Sequence, residues 1–196
     1  MEIFISWSGQ TGKKIAEHIS RWLPNIIQSI KPCFSPDDLT VGARWNTDIA
    51  QKLESCHIGL IIVTIEALNS PWIMFEAGAL SKHVGKAKVC PIVFGIEPID
   101  VQGPLAQFQA VRFEEKEFTR LLRMINSELG DLALKNKVLD SSFKLVWPKL
   151  EHDVTQEMKK ATERERKNEK KRREKEREEG KRKKERKREG WREKEG

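Results

Sequence analysis

Between residues 70 and 82 the chain reads SPWIMFEAGALSK, and its one acid, Glu76, stands in an otherwise apolar run. At 100° per residue on a helix, Glu76 lies about 40° from Trp72, with Ala79, Leu80 and His83 close by and Gly78, Ser81 and Lys82 turned away. The carboxylate is therefore on or beside the apolar stripe, where an unpaired charge costs several kcal/mol if it is fully buried. One explanation is local: Ser70 caps the helix, Pro71 takes its first position, and an acid near the N-terminus gains about 0.3–1 kcal/mol from the helix dipole. The other is that the acid serves a site: Trp72 stands one turn earlier, and a carboxylate beside it on the apolar stripe needs something to compensate for its burial.

A second stretch, SWSGQTGKK (6–14), invites a phosphate-loop reading and fails it. With Gly12-Lys13 as the glycine–lysine pair, the earlier glycine would stand at position 7, which is Trp7, and Lys14 follows where Ser or Thr is needed. A weaker expectation survives, that backbone N–H groups at this strand-to-helix turn face an anion. His18, His57, His83 and His152 are scattered, without metal spacing, and no Ser or Cys has a nucleophile-elbow context. Cys33, Cys56 and Cys90 are odd in number and far apart in sequence, each near an apolar stretch. They read as reduced core thiols rather than a disulfide framework or a zinc site, and no metal is expected.

The elements that must position Glu76 alternate along the chain. Short β-rich runs stand at 2–6 (EIFIS), 31–35 (KPCFS), 88–94 (KVCPIVF) and 109–113 (QAVRF), and a fully apolar, β-branched run at 57–64 (HIGLIIVT) suits a central strand buried on both faces. Helical spacing joins Ile15, Ala16, Ile19, Trp22 and Leu23, then Ile49, Leu53 and Cys56 in the segment 47–56. After the helix carrying Glu76 come a charged amphipathic helix from Glu114 and a last segment, SSFKLVWPKLEHDV, that closes the body near residue 154. Five alternations predict an α/β fold of the flavodoxin-like kind: a five-stranded parallel sheet with helices on both faces. Ligands bind such sheets beyond the carboxyl ends of the strands, so the loops 6–12, 35–45 and 64–71 converge on one pocket near the start of the Glu76 helix.

The charge is uneven. Residues 151–196 hold 20 Lys+Arg and 14 Asp+Glu, a net of +6, which leaves a net of +1 for residues 1–150. The division predicted is a folded domain over 1–154 and a Lys/Arg/Glu-rich tail over 155–196, helical or disordered, too poor in apolar residues for a core. Pairs such as Glu169–Arg173 and Glu179–Lys183 would support a solvated helix. An acidic partner or nucleic acid is the function such a tail could serve, and KRKKERKR (181–188) could also act as a nuclear address. The longest apolar run is too short to span a bilayer and the first residues do not resemble a secretory signal, so a cytoplasmic protein with no membrane partner is expected.

Taken in order, EIFISWSG, SPDDLTVGARW, GLIIVT and above all NSPWIMFEAGAL resemble a TIR (Toll/interleukin-1 receptor) domain, in particular its bacterial branch associated with anti-phage defence. The resemblance covers roughly residues 1–150. It implies an enzyme that cleaves the nicotinamide–ribose bond of NAD⁺, with NAD⁺ as substrate and no further cofactor. Glu76 of the Trp-x-x-x-Glu motif would be the catalytic carboxylate and Trp72 an apolar wall of the ribose–nicotinamide pocket. Trp7, Ser8 and Gly9 match the loop that faces the substrate, and Asp38, Arg44 and Trp45 lie in or beside the BB loop, which gates the pocket and mediates assembly with other TIR domains. The axon-degeneration enzyme of this family has a basic pair where Ser8 and Gly9 stand, so phosphate contacts here would fall to backbone amides or to Arg44. Two other readings are open: a scaffold that only assembles with other TIR domains, and an enzyme resembling nucleoside deoxyribosyltransferases, with a glutamate nucleophile.

Overall fold

The computed structural model describes residues 1–34, 56–68 and 88–192. Five strands form one sheet: β1 (Glu2–Trp7), β2 (Lys31–Phe34), β3 (Ile58–Thr64), β4 (Lys88–Phe94) and β5 (Val111–Arg112). Their order is β2-β1-β3-β4-β5, and every pairing is parallel. This is the flavodoxin-like order, and its direction reverses between β1 and β3. All seven residues of β3 are buried, as its unbroken apolar sequence requires for a strand covered on both sides.

Alternation divides the core in two. Ile3, Ile5, Leu60, Ile62 and Ile92 point to one face, which is covered by α1 (Gly9–Ile26), α3 (Glu115–Ser127) and the first part of α4 (Asn136–Arg192). Phe4, Ile61, Val63 and Val93 point to the other, against Ala67, Val101 and Leu105. Ala67 belongs to α2 (Ile65–Leu68), a single turn that starts where β3 ends. Val101 and Leu105 belong to the connection after β4, built around two 3₁₀ turns, Pro98–Asp100 and Gly103–Gln107. The helices expected over 47–56, apart from its last residue, and around Glu76 lie outside the described residues.

An aromatic cluster ties the first face together. Trp147 of α4 stacks at 5.1 Å on Phe113, 5.3 Å on Phe118 and 5.3 Å on Phe143, with Trp22 of α1 at 6.3 Å. Rings at these separations, tilted or edge-on, gain about 0.5–1.5 kcal/mol per pair beyond the area they bury.

Three expectations are corrected. The strand predicted over 109–113 narrows to Val111–Arg112, the two residues in register with Ile92 and Val93 of β4. The last helix begins before Ser141: it runs from Asn136 to Arg192, with Pro148 inside it, so of the two forms expected for the tail it takes the helical one through Arg192. α2 was not foreseen, since four residues are too few for helical periodicity to register.

The chain divides into two units, Met1–Met158 and Lys159–Gly196. In the first, Val154 is fully buried and Met158 packs on the core, so the apolar spacing of the last helix continues past the predicted boundary. In the second, Arg173 pairs with Glu169 at 2.6 Å and Arg172 with Glu176 at 3.8 Å, one helical turn apart. Exposed pairs of this kind contribute about 0.3–0.5 kcal/mol each. Among the described residues no helix is long and apolar enough to cross a membrane.

Candidate active site

The topology directs attention to the carboxyl ends of β1 and β3, where the strand order reverses. β1 ends at Trp7, Ser8 stands in extended conformation as the residue before α1, and Gly9 opens the helix with φ 76°. The sequence allows this turn because only glycine enters that region without penalty. A hydroxyl at the cap position ordinarily bonds the helix amides, but the Ser8 side chain makes no such bond.

The capping oxygen comes instead from 55 residues away. Glu66, the second residue of α2, accepts from the Thr11 amide at 3.2 Å and from the Thr11 hydroxyl at 2.7 Å. Its carboxylate lies so close to Gly9 that a Cβ built there would stand 2.5 Å from Oε2. The backbone angle calls for glycine, and a side chain there would in addition push the Glu66 carboxylate aside. Thr11 is buried, Glu66 is half-buried, and Gly9 and Gln10 are exposed at the rim. Deeper in β1 the Ser6 hydroxyl is fully buried on the same face as Phe4, without a partner among the described residues.

This arrangement changes the expectation for the loop 6–14. The α1 terminus does attract an anion, and the chain supplies it: Glu66 occupies the Thr11 amide that a phosphate would have used. A carboxylate at this rim repels a second anion and favours neutral donors such as sugar hydroxyls. Of the residues expected to contact substrate, Trp7 and Ser8 are half-buried and Gly9 exposed, all at the carboxyl end of β1. Asp38, Arg44, Trp45, Trp72 and Glu76 lie outside the described residues. Glu66 and Thr11 were missed by sequence reasoning. The available signal was position alone, an acid directly after the central strand, where open α/β sheets gather their functional groups.

Residues 3–125 match the sequence model described as the TIR domain. The chain belongs to the TIR domain family. No curated relative matches this TIR protein. Among solved structures it is similar to the TIR domains of the activated Roq1 resistosome, whose description has that complex directly recognising the pathogen effector XopQ. Sequence identity there is 14%, the match covers 82% of this chain and 98% of the other, and the TM-score is 0.42.

Proposed function

We propose that this TIR domain cleaves the N-glycosidic bond between nicotinamide and ribose in NAD⁺, with Glu76 as the catalytic carboxylate and Trp72 as an apolar wall of the pocket. The observation that carries the reading is the family match over residues 3–125 together with the Trp72-x-x-x-Glu76 spacing inside it. Nicotinamide leaves as a neutral molecule, so no general acid is needed. What the step requires is stabilisation of an oxocarbenium-like ribose, which one carboxylate supplies electrostatically. The Glu66–Thr11 contact supports placing the ribose rather than the pyrophosphate beside Gly9, because the nearest α1 amide already has its anion. Phosphate contacts then fall to Arg44.

The branch to which this activity belongs is anti-phage signalling, with nicotinamide and either ADP-ribose or a cyclic isomer as products. Assembly with other TIR domains through the segment around Asp38, Arg44 and Trp45 completes the reading, and the net +6 of residues 151–196 suits recruitment by an acidic partner. The test is NAD⁺ consumption by the purified full chain at dilute and crowded concentrations, beside Glu76→Ala. Turnover that rises with concentration and falls at least a hundredfold in the variant supports the proposal, and chromatography of the products separates hydrolysis from cyclisation. Absence of turnover under crowding, with the variant indistinguishable from the parent, overturns it in favour of the scaffold.

A further inference from the structure

The opposite end of the sheet carries a second chemical constellation. Cys33 lies on β2 beside β1, in register with Phe4, and Cys56 sits two residues before β3 begins. Their sulfurs stand 3.4 Å apart, and the Cys33 thiol also reaches the Ile3 carbonyl at 3.5 Å. Glu2, the first residue of β1, brings a carboxylate oxygen such that all three donor atoms fall within 4.8 Å of one another. Cys56 is buried, Cys33 half-buried and Glu2 exposed, so the group is graded from core to solvent.

We propose that Glu2, Cys33 and Cys56 form a binding site for a soft divalent cation, Zn²⁺ in the first instance. The sulfur spacing favours this over a disulfide. Two metal–sulfur bonds of about 2.3 Å at a tetrahedral angle hold the sulfurs about 3.8 Å apart, whereas a disulfide needs about 2.05 Å. At 3.4 Å the two reduced thiols are in hydrogen-bonding contact, and a few tenths of an ångström of movement brings them to the spacing that one ion requires. Two thiolates and one carboxylate satisfy the ligand preference of zinc, and the exposed Glu2 side leaves the fourth position to water. Binding proceeds by proton release. One dication and two thiols give two metal–thiolate bonds and two protons, while the carboxylate adds a third bond without a change of proton count. Glu2 and Cys56 stand at the amino ends of β1 and β3, and Cys33 is level with Phe4, so the group is separate from Gly9, Thr11 and Glu66 and does not depend on the proposed NAD⁺ chemistry.

The experiment is titration of the reduced full chain with Co²⁺, followed by displacement with Zn²⁺. One equivalent should bind with a sulfur-to-cobalt charge-transfer band in the near ultraviolet, and Zn²⁺ should bleach it. Cys33→Ser and Cys56→Ser should each abolish the band, and Cys90→Ser should leave it intact. Glu2→Gln should weaken binding by about tenfold or more, at least the loss that outer partners of a metal site cause. Should the serine variants fold poorly, alkylation of the native parent decides: Zn²⁺ should protect the half-buried Cys33 and not Cys90. A band that survives in Cys33→Ser, the absence of zinc protection, or a reduced protein that takes up no metal and forms a Cys33–Cys56 disulfide under hydrogen peroxide would each overturn the site.

Discussion

Replacing Gly9 with alanine tests the junction of α1 and β3 directly. Two costs add. The φ of 76° places a non-glycine residue in the left-handed region, at about 1–2 kcal/mol. The new Cβ would lie 2.5 Å from Glu66 Oε2 and 3.2 Å from Glu66 Cβ, so the carboxylate must swing away. It then gives up its bonds to the Thr11 amide and hydroxyl. Losing the cap of a helix costs about 1 kcal/mol, and a charge-assisted bond about 1.5–3 kcal/mol. Because Glu66 is only half-buried, water takes over the hydroxyl bond, and the lost cap adds about 1–2 kcal/mol to the backbone cost. Gly9→Ala should therefore lower stability by about 2–4 kcal/mol, read as a shift in the urea midpoint at constant slope. In a Glu66→Ala background the cap is already gone, and the same substitution should cost only about 1–2 kcal/mol, the backbone share. The difference between backgrounds is the coupling between Gly9 and Glu66. A loss below about 0.5 kcal/mol for Gly9→Ala would refute the account, since surface changes away from special features fall in that range. Equal losses in the two backgrounds would refute the part assigned to Glu66.

Two further outcomes follow from the core. Burial pushes the Cys90 thiol up from 9.0 to about 11, with Lys88 opposing. Above pH 9 the unfolded chain ionises this thiol while the folded chain keeps its proton, so its contribution to stability is whole below pH 9 and is lost as pH rises toward 11. Urea midpoints measured across that range should fall more steeply in the parent than in Cys90→Val, and parallel slopes would contradict the assignment. Trp147→Ala should cost about 3–5 kcal/mol, as for other buried aromatics cut to alanine, while Trp147→Phe, which keeps one ring in the cluster and leaves a smaller void, should cost less than the alanine variant. A loss under about 1 kcal/mol for the alanine variant would mean that the aromatic cluster does not join α4 to the sheet.

Amino-acid sequence alone determined the local elements. The unbroken apolar run at 58–64 requires a strand buried on both faces, the spacing from Ile15 to Leu23 requires an amphipathic helix, and their alternation requires a parallel sheet. These are legible because period and composition act within one element. The Trp72-x-x-x-Glu76 spacing is local in the same sense, and it carries the functional reading. Where local signals weakened, the reading failed: four residues after β3 were too few for a helix to register, and Val111–Arg112 kept its strand only where β4 was available to pair.

Tertiary structure decided which distant groups meet. Glu66 caps Thr11 across 55 residues of sequence, and the thiols of Cys33 and Cys56 come to 3.4 Å across 23. No spacing rule reaches either pair, because the separation along the chain is set by intervening elements and the separation in space by the strand order. Parallel β1, β2 and β3 bring Glu2, Cys33 and Cys56 together, while the carboxyl ends of β1 and β3 gather Gly9, Thr11 and Glu66. Chemistry was written in residue types, but its locations were fixed by which strands lie side by side and in which direction they run.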